Sequence, residues 1–163
     1  MARILIVAGG CRGRLLAAQL VGDRHAVRIS TRTEGGREAI EASGAESWVG
    51  TPQRLATMRG ALDRVAVACW LLGTATGPRA ELAALHSTRL EFFLTQAIDT
   101  TVRGFVYESG GAPAELLRTG AQAARELTAR NAIPASFLDR DPHDHDAWLV
   151  QARSAIDSLL RGG

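Results

Sequence analysis

The apolar run Ile4-Leu-Ile-Val-Ala8 stops at two glycines, and a helical pattern starts within three residues. An unbroken run of this kind suits a strand buried on both faces, as parallel strands are. Glycine enters positive φ and lets a backbone or a phosphate come close, which a side chain would forbid. The helix that follows turns its free N–H groups and the positive end of its dipole back on the loop, creating an anion site. Strand, Gly9-Gly10-Cys11-Arg12-Gly13 and helix therefore predict a phosphate-binding loop at the start of a parallel sheet.

The remaining pattern is regular. Strands are expected at 26–30, 46–49, 65–72, 104–107 and 133–138, and helices at 12–21, 34–42, 52–62, 79–100, 113–131 and 143–161. Strands separated by helices demand right-handed crossovers and a parallel sheet covered on both sides. With no linker or internal repeat, residues 1–163 read as one domain. The expected architecture is a three-layer α/β Rossmann fold, a mainly parallel sheet of about six strands with helices on both faces. Its ligand would lie beyond the carboxyl ends of the strands, so the loops of interest are 9–13, 31–33, 50–52, 73–77 and 108–112.

Composition excludes several classes. The 19 basic and 17 acidic side chains are interspersed, with a net charge of +2, and form no nucleic-acid stripe. Cys11 and Cys69 are too few and too far apart for a disulfide scaffold or a zinc motif. No apolar run approaches the roughly 20 residues that span a bilayer, and a core strand at residue 3 leaves no room for a signal peptide. A reduced, cytoplasmic protein without membrane or nucleic-acid partners is expected.

Gly10-x-x-Gly13, with Leu16 where a third glycine would stand, resembles the fingerprint of the short-chain dehydrogenase/reductase superfamily, in particular its atypical and extended, epimerase/dehydratase-like branches. Ser30-Thr-Arg-Thr33 at the end of strand two and Phe105-Val-Tyr-Glu-Ser109-Gly-Gly at strand five add to the resemblance. It implies an NAD(P)-binding domain in which Gly9, Gly10 and Gly13 admit the pyrophosphate and Cys11 lies in the same cofactor-binding loop. Gly73 and Thr74 would border the adenosine or central ribose, and Ser109 the nicotinamide side. It also implies a homodimer through helices 79–100 and 113–131.

The end of strand two discriminates between cofactors. An NAD site places Asp or Glu there for the ribose hydroxyls, whereas arginine accommodates a 2′-phosphate. Here the position holds Thr31-Arg32, with Arg12 as a second basic candidate in the glycine loop. A guanidinium forks onto phosphate, so NADP(H) is favoured over NAD(H).

The superfamily's catalytic pair is Tyr-x-x-x-Lys. All 19 basic residues of this chain are arginine, and its single tyrosine is Tyr107. The pair is therefore absent. Tyr107 and Ser109 remain the catalytic candidates, against the plainer reading of a strand residue and a turn or cap. Cys11 is either a redox group or a small residue filling the turn. The tract Asp139-Arg-Asp-Pro-His-Asp-His-Asp146 reads better as a helix start, capped by Asp141, than as a metal site. The expected function is NADP(H) binding by an atypical reductase-like protein, with an unknown small molecule as substrate if it is an oxidoreductase. Two alternatives are a flavin or quinone reductase that needs no Tyr-Lys pair and a non-catalytic cofactor sensor or structural subunit.

Overall fold

The computed structural model describes residues 1–162. Six strands, β1 (Arg3–Ala8), β2 (Ala26–Thr31), β3 (Glu46–Val49), β4 (Val67–Leu71), β5 (Gly104–Glu108) and β6 (Ala135–Leu138), form one sheet in the order β3-β2-β1-β4-β5-β6. Every pairing is parallel. This is the Rossmann order, and its topological switch lies between β1 and β4.

Alternate residues of the central strands feed two cores. Leu5, Val7, Ala68, Trp70, Phe105 and Tyr107 face one layer. That layer is built from α3 (Arg79–Leu85), α4 (Thr88–Ile98), α5 (Ala114–Arg130) and a 3₁₀ run over Leu55–Leu62. Ile4, Ile6, Val67, Cys69, Leu71 and Val106 face the other. There the covering helices are α1 (Gly10–Gly22), α2 (Arg37–Ala42) and α6 (His145–Gly162). The two-residue period of a strand thus sorts one continuous apolar run onto two faces.

Four helices depart from the sequence pattern, the one expected at 34–42 opening as a 3₁₀ turn over Glu34–Gly36 and becoming α-helical only from Arg37. The predicted helix 79–100 breaks at His86-Ser87 without a proline or glycine. Trp70 Nε1 donates to the Leu85 carbonyl at 3.2 Å and Ser87 Oγ to that of Ala83 at 2.6 Å, so side chains take carbonyls from the helical ladder. The predicted helix 52–62 is a 3₁₀ run. Arg28 Nη1 holds the Ala61 carbonyl at 2.6 Å, and a Cβ at Gly60 would come within 2.7 Å of the Trp48 ring. The last helix begins at His145, not 143, and its first turn is capped by Asp144, whose Oδ1 accepts the Ala147 N–H at 3.4 Å. Asp141 instead accepts the His143 N–H at 2.9 Å and meets its Nδ1 at 3.1 Å, and those bonds hold its carboxyl below the usual range. Among the described residues no group of three or more His, Cys, Asp or Glu could hold a metal ion, and no helix is long and apolar enough to cross a membrane.

Candidate nucleotide site

The carboxyl ends of β1, β2, β3 and β4 surround a cleft of about 400 Å³. Its apolar walls include Ile40, Pro52, Leu72, Ala75 and Leu85, and its polar rim carries Arg14, Thr31, Arg32, Gln53 and Thr74. A cavity of this size with a few convergent polar groups is of the kind that takes a small molecule. Three of its borders, at 31–32, 50–52 and 74–76, lie in loops foreseen from the sequence. Arg14 does not. It sits one residue beyond Gly13, where the first turn of α1 swings it back toward the cleft, and the glycine spacing alone does not mark it.

The floor of the cleft is the turn from β1 into α1. Ala8, Gly9 and Gly10 take φ of 65°, 93° and 56°. Three left-handed residues in succession reverse the chain tightly enough that a Cβ on Gly9 would sit 3.0 Å from Gly13 Cα. Gly10 differs, because a Cβ there would meet nothing within 4 Å. The space above it is open. Helix α1 has no side-chain N-cap, so its first N–H groups face that space with the positive end of the helix dipole. Ser30 holds the turn from below by accepting the Ala8 N–H at 3.0 Å. Leu16, in the place of a third glycine, is fully buried in the core. Cys11 is exposed and free.

Cations dominate the rim. Arg32 is exposed and Arg14 half-buried. Among the described residues neither takes part in an ion pair. The carboxyl end of β2 carries Ser30, Thr31 and Arg32 and no carboxylate. Glu81, exposed at the far side, is the one acidic residue among those lining the cleft.

Arg12 requires a correction. The sequence reading places it beside Arg32 on a phosphate, but its side chain is 5% exposed and turns into the protein. Its Nε donates to Glu108 Oε2 at 2.8 Å, Nη2 reaches Glu108 Oε1, and Nη1 donates to Thr74 Oγ1 at 2.8 Å and to the Gly9 carbonyl at 3.1 Å. The guanidinium also lies 5.4 Å from the centre of the Trp148 ring. Glu108, fully buried, additionally accepts the Gly73 N–H at 2.6 Å and Trp148 Nε1 at 2.8 Å. Gly73 is therefore a packing glycine. A Cβ there would fall 2.6 Å from the Glu108 carboxylate.

Neither catalytic candidate reaches the cleft. Tyr107 is fully buried under α5, with its hydroxyl 2.7 Å from His86 Nδ1 and 3.4 Å from the Leu117 carbonyl. Burial and the nearby Glu108 carboxylate raise its pKa, which disfavours the phenolate. Ser109 Oγ donates to the Leu138 carbonyl at 3.2 Å and serves as a turn residue. His86 is 2% exposed, and desolvation lowers its pKa to about 4 against a weaker opposing hydrogen bond at Leu72. The unfolded chain, with an ordinary histidine near 6.5, takes up this proton before the folded one does. Stability should therefore be constant in this term above about pH 6.5 and fall toward pH 4, by up to about 3 kcal/mol. Urea unfolding of the parent and His86→Gln across that range checks it; equal slopes in the two proteins would refute the assignment.

No family model matches the chain, and no curated protein matches it. Solved structures do. A short-chain dehydrogenase/reductase superfamily protein of Agrobacterium tumefaciens with bound NAD superposes with a TM-score of 0.67 at 20% identity, over 83% of this chain and 48% of that one. What the two share is the fold, a Rossmann-type parallel sheet covered on both faces. Triphenylmethane reductase of Citrobacter sp., complexed with NADP(H), gives 0.63 at 17% identity, over 84% and 49% of the two chains. UDP-glucose 4-epimerase of Thermotoga maritima, with UDP-glucose, gives 0.67 at 12% identity, over 83% and 54%. The chain thus spans about half the length of these structures.

Proposed function

We propose that the chain binds NADP(H). One observation carries the reading: two arginines that form no ion pair among the described residues, and no carboxylate at the end of β2, border a cleft that opens onto the amino end of α1. Arg14 and Arg32 would hold the 2′-phosphate, whose geometry a guanidinium fork matches and whose charge a carboxylate would repel. The free N–H groups of α1 and the open face of Gly10 would receive the pyrophosphate. Thr31 and Thr74 would serve ribose hydroxyls, and Ile40, Pro52 and Ala75 would form an apolar seat for the base. The fold's solved neighbours support a nicotinamide dinucleotide, since one holds NAD and another NADP(H).

When bound, such a cofactor supplies a hydride donor or acceptor. This chain's own residues bind and orient the nucleotide, and none of the sequence candidates stands ready to move a proton at the cleft. A second reading, a cofactor sensor without turnover, is favoured by the burial of Tyr107 and the absence of lysine. Calorimetric titration tests the proposal. NADPH and NADP⁺ should bind at least about tenfold more tightly than NADH and NAD⁺, a difference of roughly 1.4 kcal/mol. Equal affinities would refute the 2′-phosphate assignment, and no binding by any of the four would refute the whole reading.

A further inference from the structure

The cleft ends where β4 ends. Its walls come from the loops after β1, β2, β3 and β4, and no residue of 108–112 or 139–141 lines it. In a sheet of this order the crevice for a dinucleotide crosses the switch point, here the gap between β1 and β4. In this chain Arg12 spans that gap. It holds the Gly9 carbonyl on the β1 side and Thr74 Oγ1 on the β4 side, while its remaining donors meet Glu108 at the end of β5.

Beyond the gap the carboxyl edge is closed by the chain itself. The Ala112 N–H donates to the Gly73 carbonyl at 3.1 Å, sewing the loop after β5 to the loop after β4. The Ser109 and Gly110 N–H groups both donate to Leu138 at 2.9 Å, sewing it to the end of β6. The seams have no slack: a Cβ on Gly111 would overlap the Gly73 carbonyl, and one on Gly110 would overlap the Arg140 carbonyl. Beneath them Trp148, fully buried, fills the space against Glu108. A ligand group entering here would have to part a buried, hydrogen-bonded ion pair and leave both charges exposed to an apolar surround, an arrangement that proteins avoid.

We infer that this chain reads only the phosphoadenosine half of its nucleotide, with the Arg12–Glu108–Trp148 cluster closing the half of the site where a nicotinamide would be held. The inference rests on the NADP(H) reading above and narrows it. The ligand class becomes adenosine nucleotides bearing a 2′-phosphate, with the nicotinamide end left outside the protein's grasp. Binding is then blind to oxidation state, and the protein responds to the sum of NADP⁺ and NADPH rather than to their ratio.

Calorimetry with 2′,5′-ADP, NADPH, NADP⁺ and reduced nicotinamide mononucleotide tests this. The three 2′-phosphorylated adenosine ligands should agree in Kd to better than about fivefold, under 1 kcal/mol, and the nicotinamide mononucleotide should give no heat. A fivefold or greater advantage of NADPH over 2′,5′-ADP, or over NADP⁺, overturns the inference while leaving the NADP(H) reading intact. Absence of binding by all four overturns both.

Discussion

Glu108→Gln should cost the protein about 3–5 kcal/mol of folding stability, the range for removing one partner of a buried ion pair. For a chain of this length that corresponds to a fall in Tm of roughly 6–20 °C. The carboxylate accepts from four donors: Arg12 Nε and Nη2, the Gly73 N–H and Trp148 Nε1. Glutamine matches its shape, yet turns one acceptor into a donor and leaves the Arg12 guanidinium, which cannot shed its proton, without a counter-charge. A double replacement, Arg12→Leu with Glu108→Leu, separates charge from packing. Because it removes both charges together, its loss should be smaller than that of Glu108→Gln. Urea unfolding monitored by tryptophan fluorescence gives both values. A loss below about 1 kcal/mol for Glu108→Gln would mean the pair contributes no more than an exposed one.

The second large effect is on affinity. In Arg14→Ala/Arg32→Ala the Kd for NADPH should rise by roughly 10²–10⁴, because a hydrogen bond to a charged group contributes about 1.5–3 kcal/mol and two are lost. The Kd for NADH, which carries no 2′-phosphate, should move by less than about threefold. That contrast distinguishes loss of a phosphate clamp from general damage to the loop. The two arginines would share one phosphate, so the single variants should not sum to the double. NADPH affinity in the parent should also weaken with salt, since an exposed arginine such as Arg32 is screened within about 8–10 Å at moderate ionic strength. Equal losses for NADPH and NADH would remove the clamp from the account.

Strand identity was readable because apolar runs bounded by glycine and proline leave few alternatives. The unbroken run from Ile4 and the one from Val67 are both buried on two faces, as parallel strands must be. The glycine turn was legible for the same reason, since positive φ at Gly9 and Gly10 is a backbone demand. What escaped was side-chain partnership across long sequence separations. Arg12 and Arg14 flank the same glycine, and nothing local says which faces the cleft. Glu108, 96 residues away, settles it by drawing Arg12 inward, which leaves Arg14 for the rim. Tyr107 and Ser109 occupy family-like positions, but their surroundings depend on where α3 breaks and where α6 docks. The break at His86-Ser87 was itself invisible, because Ser87 makes it together with the indole of Trp70, which lies on a strand distant in sequence.

Trp148 lies on α6, and its indole N–H completes the ring of donors that fixes Arg12 beneath the first glycine turn. The opening loop of the chain is thereby tied to its final helix. During synthesis, residues 3–22 leave the ribosome long before that helix does, and at 5–20 residues per second the interval to Trp148 is on the order of 6–25 s. Through that interval the Arg12–Glu108 pair lacks its indole, and the glycine turn lacks one of its anchors. In a nascent chain assembled this way the glycine turn would be fixed only after α6 has packed on the sheet.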